Sequence, residues 1–188
     1  MSSISPNICV FCGSRPGIKP VYAVSAQQLG RGLAQNGFGL VYGAGDLGLM
    51  GETARAARQA GGRVTGFIPR HLFQREVGRH DIDALIVTET MHERKMLMFG
   101  NSDAVVALPG GPGTLDELIE VLTWHQLGLH ERPVYLISPD GYWDPFVALI
   151  GHLVDHGFAD RSFLDYFTLV DSADAAISAL ISELKPQA

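Results

Sequence analysis

The sequence predicts a Rossmann-like, doubly wound α/β fold: a largely parallel sheet of about seven strands with helices on both faces. Three observations carry this. Short apolar, β-rich runs alternate with helical patterns almost throughout, and each right-handed crossover returns the chain to the same sheet. Three of the runs end in turns rich in glycine or small residues. The chain has 188 residues, 46% of them hydrophobic, enough for the full core of one domain.

The first strand, 8–12, runs through Cys9-Val10-Phe11-Cys12 and ends on Gly13-Ser14-Arg15-Pro16-Gly17, with a helix expected over 20–36. The second, 39–42, ends on Gly43-Ala44-Gly45-Asp46-Leu47-Gly48 before a helix over 47–60. The third, 64–68, leads into the longest loop, 69–83, a length that suggests a lid or binding segment. Strand 84–87 precedes a helix over 91–101, and strand 104–108 runs through Leu108-Pro109 into Gly110-Gly111-Pro112-Gly113 and a helix over 114–127. Strands 134–137 and 167–170 precede helices over 144–156 and 173–184. The chain reads as a single nucleotide-binding domain, 1–188, with 1–6 and 185–188 as flexible tails.

A net charge of −6 without long charged blocks gives no basic surface for a nucleic-acid polymer or an anionic membrane. No leader-like pattern opens the chain and no apolar run approaches a membrane span, so a soluble, cytoplasmic protein is expected. Cys9 and Cys12 have a C-x-x-C spacing that could serve redox or metal chemistry. Inside a strand, however, residues three apart point to opposite faces, so two buried free thiols are expected. His152 and His156 are four apart on a helix but lack the further ligands of a zinc-protease motif, and no metal is expected.

Ligands of this fold bind beyond the carboxyl ends of the strands. Glycine there lets backbone N–H groups approach an anion, and a following helix N-terminus adds a favourable dipole. Ser14, Gly43, Gly45 and Gly110 to Thr114 are therefore candidates for one lined edge. Gly43, Gly45 and Gly48 fit G-x-G-x-x-G, but on the second βα unit and without an acid about 20 residues on, which argues against a dinucleotide fingerprint. Thr114-Leu115-Asp116-Glu117 reads as a capping box on spacing alone. Its place behind Gly-Gly-Pro-Gly at a strand end points instead to a phosphate held by backbone and a carboxylate that reaches a sugar. On the helix of Met91-His92-Glu93-Arg94-Lys95, helical spacing puts Met91, Arg94, Lys95 and Met98 on one face, suited either to core packing or to an anionic ligand with an apolar base.

Together these segments resemble the Lonely Guy (LOG) family of cytokinin-activating phosphoribohydrolases. The likeness rests on Cys12-Gly13-Ser14, Tyr42-Gly43-Ala44-Gly45 with Gly48-Leu49-Met50-Gly51, Met91-His92-Glu93-Arg94-Lys95 and Pro109-Gly110-Gly111-Pro112-Gly113-Thr114-Leu115-Asp116-Glu117. It continues through Thr123-Trp124-His125-Gln126-Leu127-Gly128 and Gly141-Tyr142-Trp143. The resemblance implies hydrolysis of a cytokinin riboside 5'-monophosphate, or of AMP, to free base and ribose 5-phosphate, with no metal or organic cofactor. It implies substrate contacts at Glu76, Arg94, Lys95, Gly111 to Glu117 and Thr123, a catalytic pair of Arg94 and Glu117, and a homodimer whose interface includes the helix end at Trp124 to Leu129. One departure is Ala44, where relatives often have a third glycine.

A carboxylate near the ribose could stabilise an oxocarbenium-like transition state or align the attacking water, and the sequence does not separate the two roles. The rival reading is a non-catalytic nucleotide-binding or carrier protein. A pyridoxal-dependent decarboxylase fits poorly, because it needs a Schiff-base lysine and only Lys19, Lys95 and Lys185 are present.

Overall fold

The computed structural model describes residues 5–76 and 82–184. They form one parallel seven-stranded sheet of order β4-β3-β2-β1-β5-β6-β7. The strands are β1 (Asn7–Phe11), β2 (Gly39–Tyr42), β3 (Val64–Pro69), β4 (Ala84–Thr88), β5 (Ala104–Ala107), β6 (Val134–Ile137) and β7 (Thr168–Val170). The helices are α1 (Pro20–Gln35), α2 (Gly48–Gln59), α3 (Arg70–Glu76), α4 (Met91–Gly100), α5 (Pro112–Gln126), α6 (Asp144–Asp155) and α7 (Ala173–Leu184). Winding reverses between β1 and β5, which pair from Ile8 with Ala104 to Phe11 with Ala107. A crevice opens at such a point because the two adjoining crossovers leave in opposite directions.

Alternation along β1 feeds two separate cores. Ile8, Val10 and Cys12 join α1, α2 and α7, whereas Cys9 and Phe11 join α4, α5 and α6. The two cysteines are thus free, buried and on opposite faces. Burial pushes both thiols well above their ordinary pKa, which leaves them protonated and poorly nucleophilic. His152 and His156 stack at 4.0 Å, and the described residues contain no group of three or more His, Cys, Asp or Glu placed to hold a metal. No described helix is long and apolar enough to cross a membrane.

α1 and α2 approach so closely that a Cβ at Gly30 would fall on the backbone carbonyl of Thr53. In an isolated helix, Gly30→Ala would gain about 1 kcal/mol of propensity. Here the obstacle is backbone, which cannot swing aside, and overpacking costs about 1–3 kcal/mol. Gly30→Ala is therefore expected to be destabilising, read as a lower urea midpoint with an unchanged slope; a raised midpoint would mean that the helices separate freely.

Two expectations are corrected. The segment 69–83 is not loop throughout, because α3 takes up Arg70 to Glu76 and packs Leu72 and Phe73 against the core. And α5 begins at Pro112, with Gly111 as N-cap, so Thr114 lies inside the first turn and is not the cap. Proline has no N–H to lose and a φ already set for the first helical position, which starts the helix two residues early. The side chain–backbone box belongs to α4: the Glu93 N–H donates to Thr90 Oγ1 at 3.0 Å, and the Glu93 carboxylate accepts from the Glu89 N–H at 2.7 Å.

Candidate functional site

The cleft of about 250 Å3 at the winding reversal is built from the ends of β1 and β2 and from helices α2, α3, α4 and α5. α5 brings Gly111, Pro112, Gly113, Thr114, Asp116 and Glu117; α4 brings Met91, Arg94 and Met98; and the strand ends bring Val10, Cys12, Ser14 and Gly43. No side chain caps the N-terminus of α5. Its first N–H groups, at the positive end of the helix dipole, face the cleft rim, an arrangement that favours an anion such as phosphate.

Arg94 is only 6% exposed. Its Nε donates to the Phe67 carbonyl within β3 at 3.1 Å, and its Nη2 donates to the Gly43 carbonyl beyond β2 at 2.8 Å. Nη1 meets the Met91 sulfur at 3.7 Å. The two carbonyls fix the guanidinium in place but do not neutralise it. Burying such a charge without a counter-ion is costly, and of the two carboxylates lining the cleft Asp116 is bound to Lys95, which leaves Glu117. Burial drives the Glu117 carboxyl up to about 7, against the pull of Arg94, while nearby Asp116 pushes it further in the same direction. A carboxyl poised near neutrality beside a fixed cation is a recognisable setting for acid–base or charge-stabilising chemistry.

Lys95 does not share the cleft face. Its ammonium bonds Asp116 at 2.9 Å and Glu120 at 3.0 Å and ties α4 to α5 on either side of Glu117. Burial pulls the ammonium down, and the bonds to the two carboxylates outweigh it, leaving Lys95 above its ordinary pKa and charged. Thr123 donates its hydroxyl to the Ile119 carbonyl at 2.7 Å within α5, outside the residues lining the cleft. Gly45 and Leu115 are also outside that lining, and Gly110 borders a neighbouring cavity. Glu76 closes α3, and its side chain lies outside the described residues.

The G-x-G-x-x-G turn is used structurally. Gly43 supplies the carbonyl that holds Arg94, and Gly48, at φ +60°, packs against the backbone of Ser14 and Arg15. Ala44 itself sits at φ 58°, in the left-handed region where glycine is at no disadvantage, and its methyl lies over Gly66. The sequence reading missed Val10, Cys12, Met50 and Leu72 as cleft-lining residues. The position of Cys12 at the end of β1 was the available signal.

Fold and site define a doubly wound α/β protein whose switch-point cleft combines a helix terminus suited to an anion with a buried arginine, Arg94, and a half-buried carboxyl, Glu117. A family model described as "Possible lysine decarboxylase" matches residues 50–180. A probable cytokinin riboside 5'-monophosphate phosphoribohydrolase of Oryza sativa subsp. japonica is 48% identical over 80% of this chain and 61% of its own length. A second from the same plant is 41% identical over 96% of this chain and 73% of its own. The chain belongs to this family, the Lonely Guy family. It spans about three fifths of the length of the first two curated relatives it matches, 61% and 62%. Among solved structures, a molybdenum cofactor carrier protein of Chlamydomonas reinhardtii superposes with a TM-score of 0.72 at 27% identity, over 96% of this chain and 99% of its own.

Among the described residues no lysine is placed in the cleft for pyridoxal-dependent decarboxylation. A pyridoxal Schiff base needs a lysine that can shed its proton at the cleft. Lys95 is held charged between Asp116 and Glu120, and Lys19 pairs with Asp140 at 3.3 Å. Neither lines the cleft, and Lys185 lies outside the described residues.

Proposed function

We propose that the chain hydrolyses the N-glycosidic bond of a nucleoside 5'-monophosphate, a cytokinin riboside monophosphate or AMP, to free base and ribose 5-phosphate. The observation that carries this is that the buried Arg94 and the half-buried Glu117 line one cleft at the N-terminus of α5, which no side chain caps. The activity named for the curated relatives supports it.

In this reading the backbone of Gly111 to Thr114 holds the phosphate, and Arg94 orients the nucleotide. As the C–N bond lengthens, positive charge grows on the ribose, and the Glu117 carboxylate offsets it or aligns the water that adds to the anomeric carbon. The bonding pair leaves with the base, which takes up a proton, while the water's oxygen becomes the anomeric hydroxyl. Lys95 acts one step removed, by fixing the turn of α5 that carries Glu117. Glu76 and Thr123 stay in the proposal as substrate contacts on the strength of the family resemblance.

We place the protein in the cytoplasm, where two unpaired thiols are at home, and propose a homodimer through α4 and α5. Exposed Met96 on α4, Ile119 on α5, and Leu127 and Leu129 just past the end of α5 support that assembly. Chromatography of products tests the function: free adenine or isopentenyladenine with ribose 5-phosphate from the monophosphate, and none from the nucleoside, is expected. Nucleotide that is bound and recovered unchanged would make the protein a carrier of nucleotide, as the Chlamydomonas neighbour is named a carrier of molybdenum cofactor.

A further inference from the structure

A second cavity, about 490 Å3, lies against the first. The two share the wall formed by Ser14, Gly111 and Pro112. That wall contains the first residues of α5, where the proposed site holds phosphate, so the second cavity opens on the side of the phosphate away from Arg94 and Glu117. Its own lining differs in kind. Arg15 is exposed there and has no ion-pair partner among the described residues. Tyr22 and Tyr142 form an aromatic wall, edge to face at 5.4 Å. The Tyr142 hydroxyl donates to the Gly110 carbonyl, which fixes this wall to the glycine loop itself.

We propose that this cavity is a subsite for a group joined to the 5'-phosphate through an anhydride, so that a nucleoside 5'-diphosphate bearing a second nucleoside spans both cavities. The inference rests on the phosphate placement of the proposed function. Three features fit that ligand class. An unpaired guanidinium one residue beyond the shared wall is placed for a second phosphate, with the charge-assisted bonds that arginine makes to such groups. The tyrosine wall offers a ring surface to a base. And because the wall is already hydrogen-bonded to the loop, little ordering is lost when a ligand docks. The first cavity, at about 250 Å3, is small for a ligand of that size, and the second supplies the remaining space.

Calorimetry with AMP, ADP and diadenosine 5',5'-diphosphate, on the Glu117→Gln chain to prevent hydrolysis, tests this. The dinucleotide is expected to bind about tenfold more tightly than AMP, the size of one additional charge-assisted contact, with ADP between them. Arg15→Gln should erase the gain for ADP and the dinucleotide and leave AMP within twofold. Pro16→Trp, which puts a ring into the second cavity from an exposed position, should block the dinucleotide alone. A dinucleotide that binds no better than AMP, or a gain that survives both substitutions, overturns the subsite. If AMP and the dinucleotide bind as expected but the unsubstituted chain releases no base, the enzymatic reading falls and the subsite stands.

Discussion

Glu117→Gln is expected to lower kcat for base release about 10^3-fold while leaving KM for the monophosphate within a few-fold. In the proposed site the phosphate contacts are backbone N–H groups at the start of α5, which the substitution does not touch, so ground-state binding should survive. What is lost is a negative charge needed only as the ribose becomes cationic, and a positioned acid–base or charge-stabilising group contributes about 10^2–10^4 in rate. The pH profile carries the sign. Burial raises Glu117 to about 7, so the carboxyl is protonated in acid, and kcat/KM of the unsubstituted enzyme should rise through pH 7 as the carboxylate forms. The residual activity of Glu117→Gln should lack that limb. Stability should move the other way. A group whose folded pKa lies above its unfolded value, here 7 against 4.5, favours folding while protonated and loses that contribution as pH rises from 4.5 through 7. Glutamine carries no charge to desolvate, so Glu117→Gln should melt above the unsubstituted chain at pH 8 and near it at pH 4. A variant with full turnover, or one that melts lower at pH 8, would remove Glu117 from the role given to it.

The strands were legible in sequence because every one of them is a short apolar run bounded by a turn, and a parallel sheet buried on both faces requires such runs. Strand order was not. Nothing local to 104–107 says that β5 pairs with β1 and not with β4, yet that pairing opens the cleft. α3 escaped notice because seven residues are too few to show a helical period. The T-x-x-E spacing occurs twice, at Thr90 and at Thr114, and only the first is a cap. At the second, Pro112 takes the first helical position and moves Thr114 inward, where it packs on Gly110. Family likeness pointed to Arg94 and Glu117, but not to what holds them. The carbonyls that fix Arg94 are 27 and 51 residues away in sequence, and the carboxylate that turns Lys95 off the cleft face is 21 away. Helical spacing put Arg94 and Lys95 side by side, and only these distant partners separate a buried site cation from a strut.

Gly43→Ala should sharply lower the proposed base release without altering any residue assigned to the chemistry. A Cβ at Gly43 would lie on the guanidinium of Arg94, whose Nη2 bonds that same glycine's carbonyl. Either the guanidinium moves or the strand end does, and in both cases the bond is broken. Loss of a hydrogen bond to a charged group costs about 1.5–3 kcal/mol, and overpacking adds about 1–3 kcal/mol. The expected result is a marked drop in the urea midpoint together with a fall in kcat of about 10^2-fold or more, since displacement of a positioned group by about 1 Å is enough for that. A general loss of folding would produce the same two readings, so the decisive measurement is a double-mutant cycle. If the clash is with Arg94 and nothing else, Gly43→Ala should cost almost nothing in the Arg94→Ala background, where the space is empty, and the coupling energy between the two positions should account for most of the single-mutant cost. Additive losses would mean that Gly43 is required for the strand end itself, and that Arg94 is held in place by something other than this carbonyl.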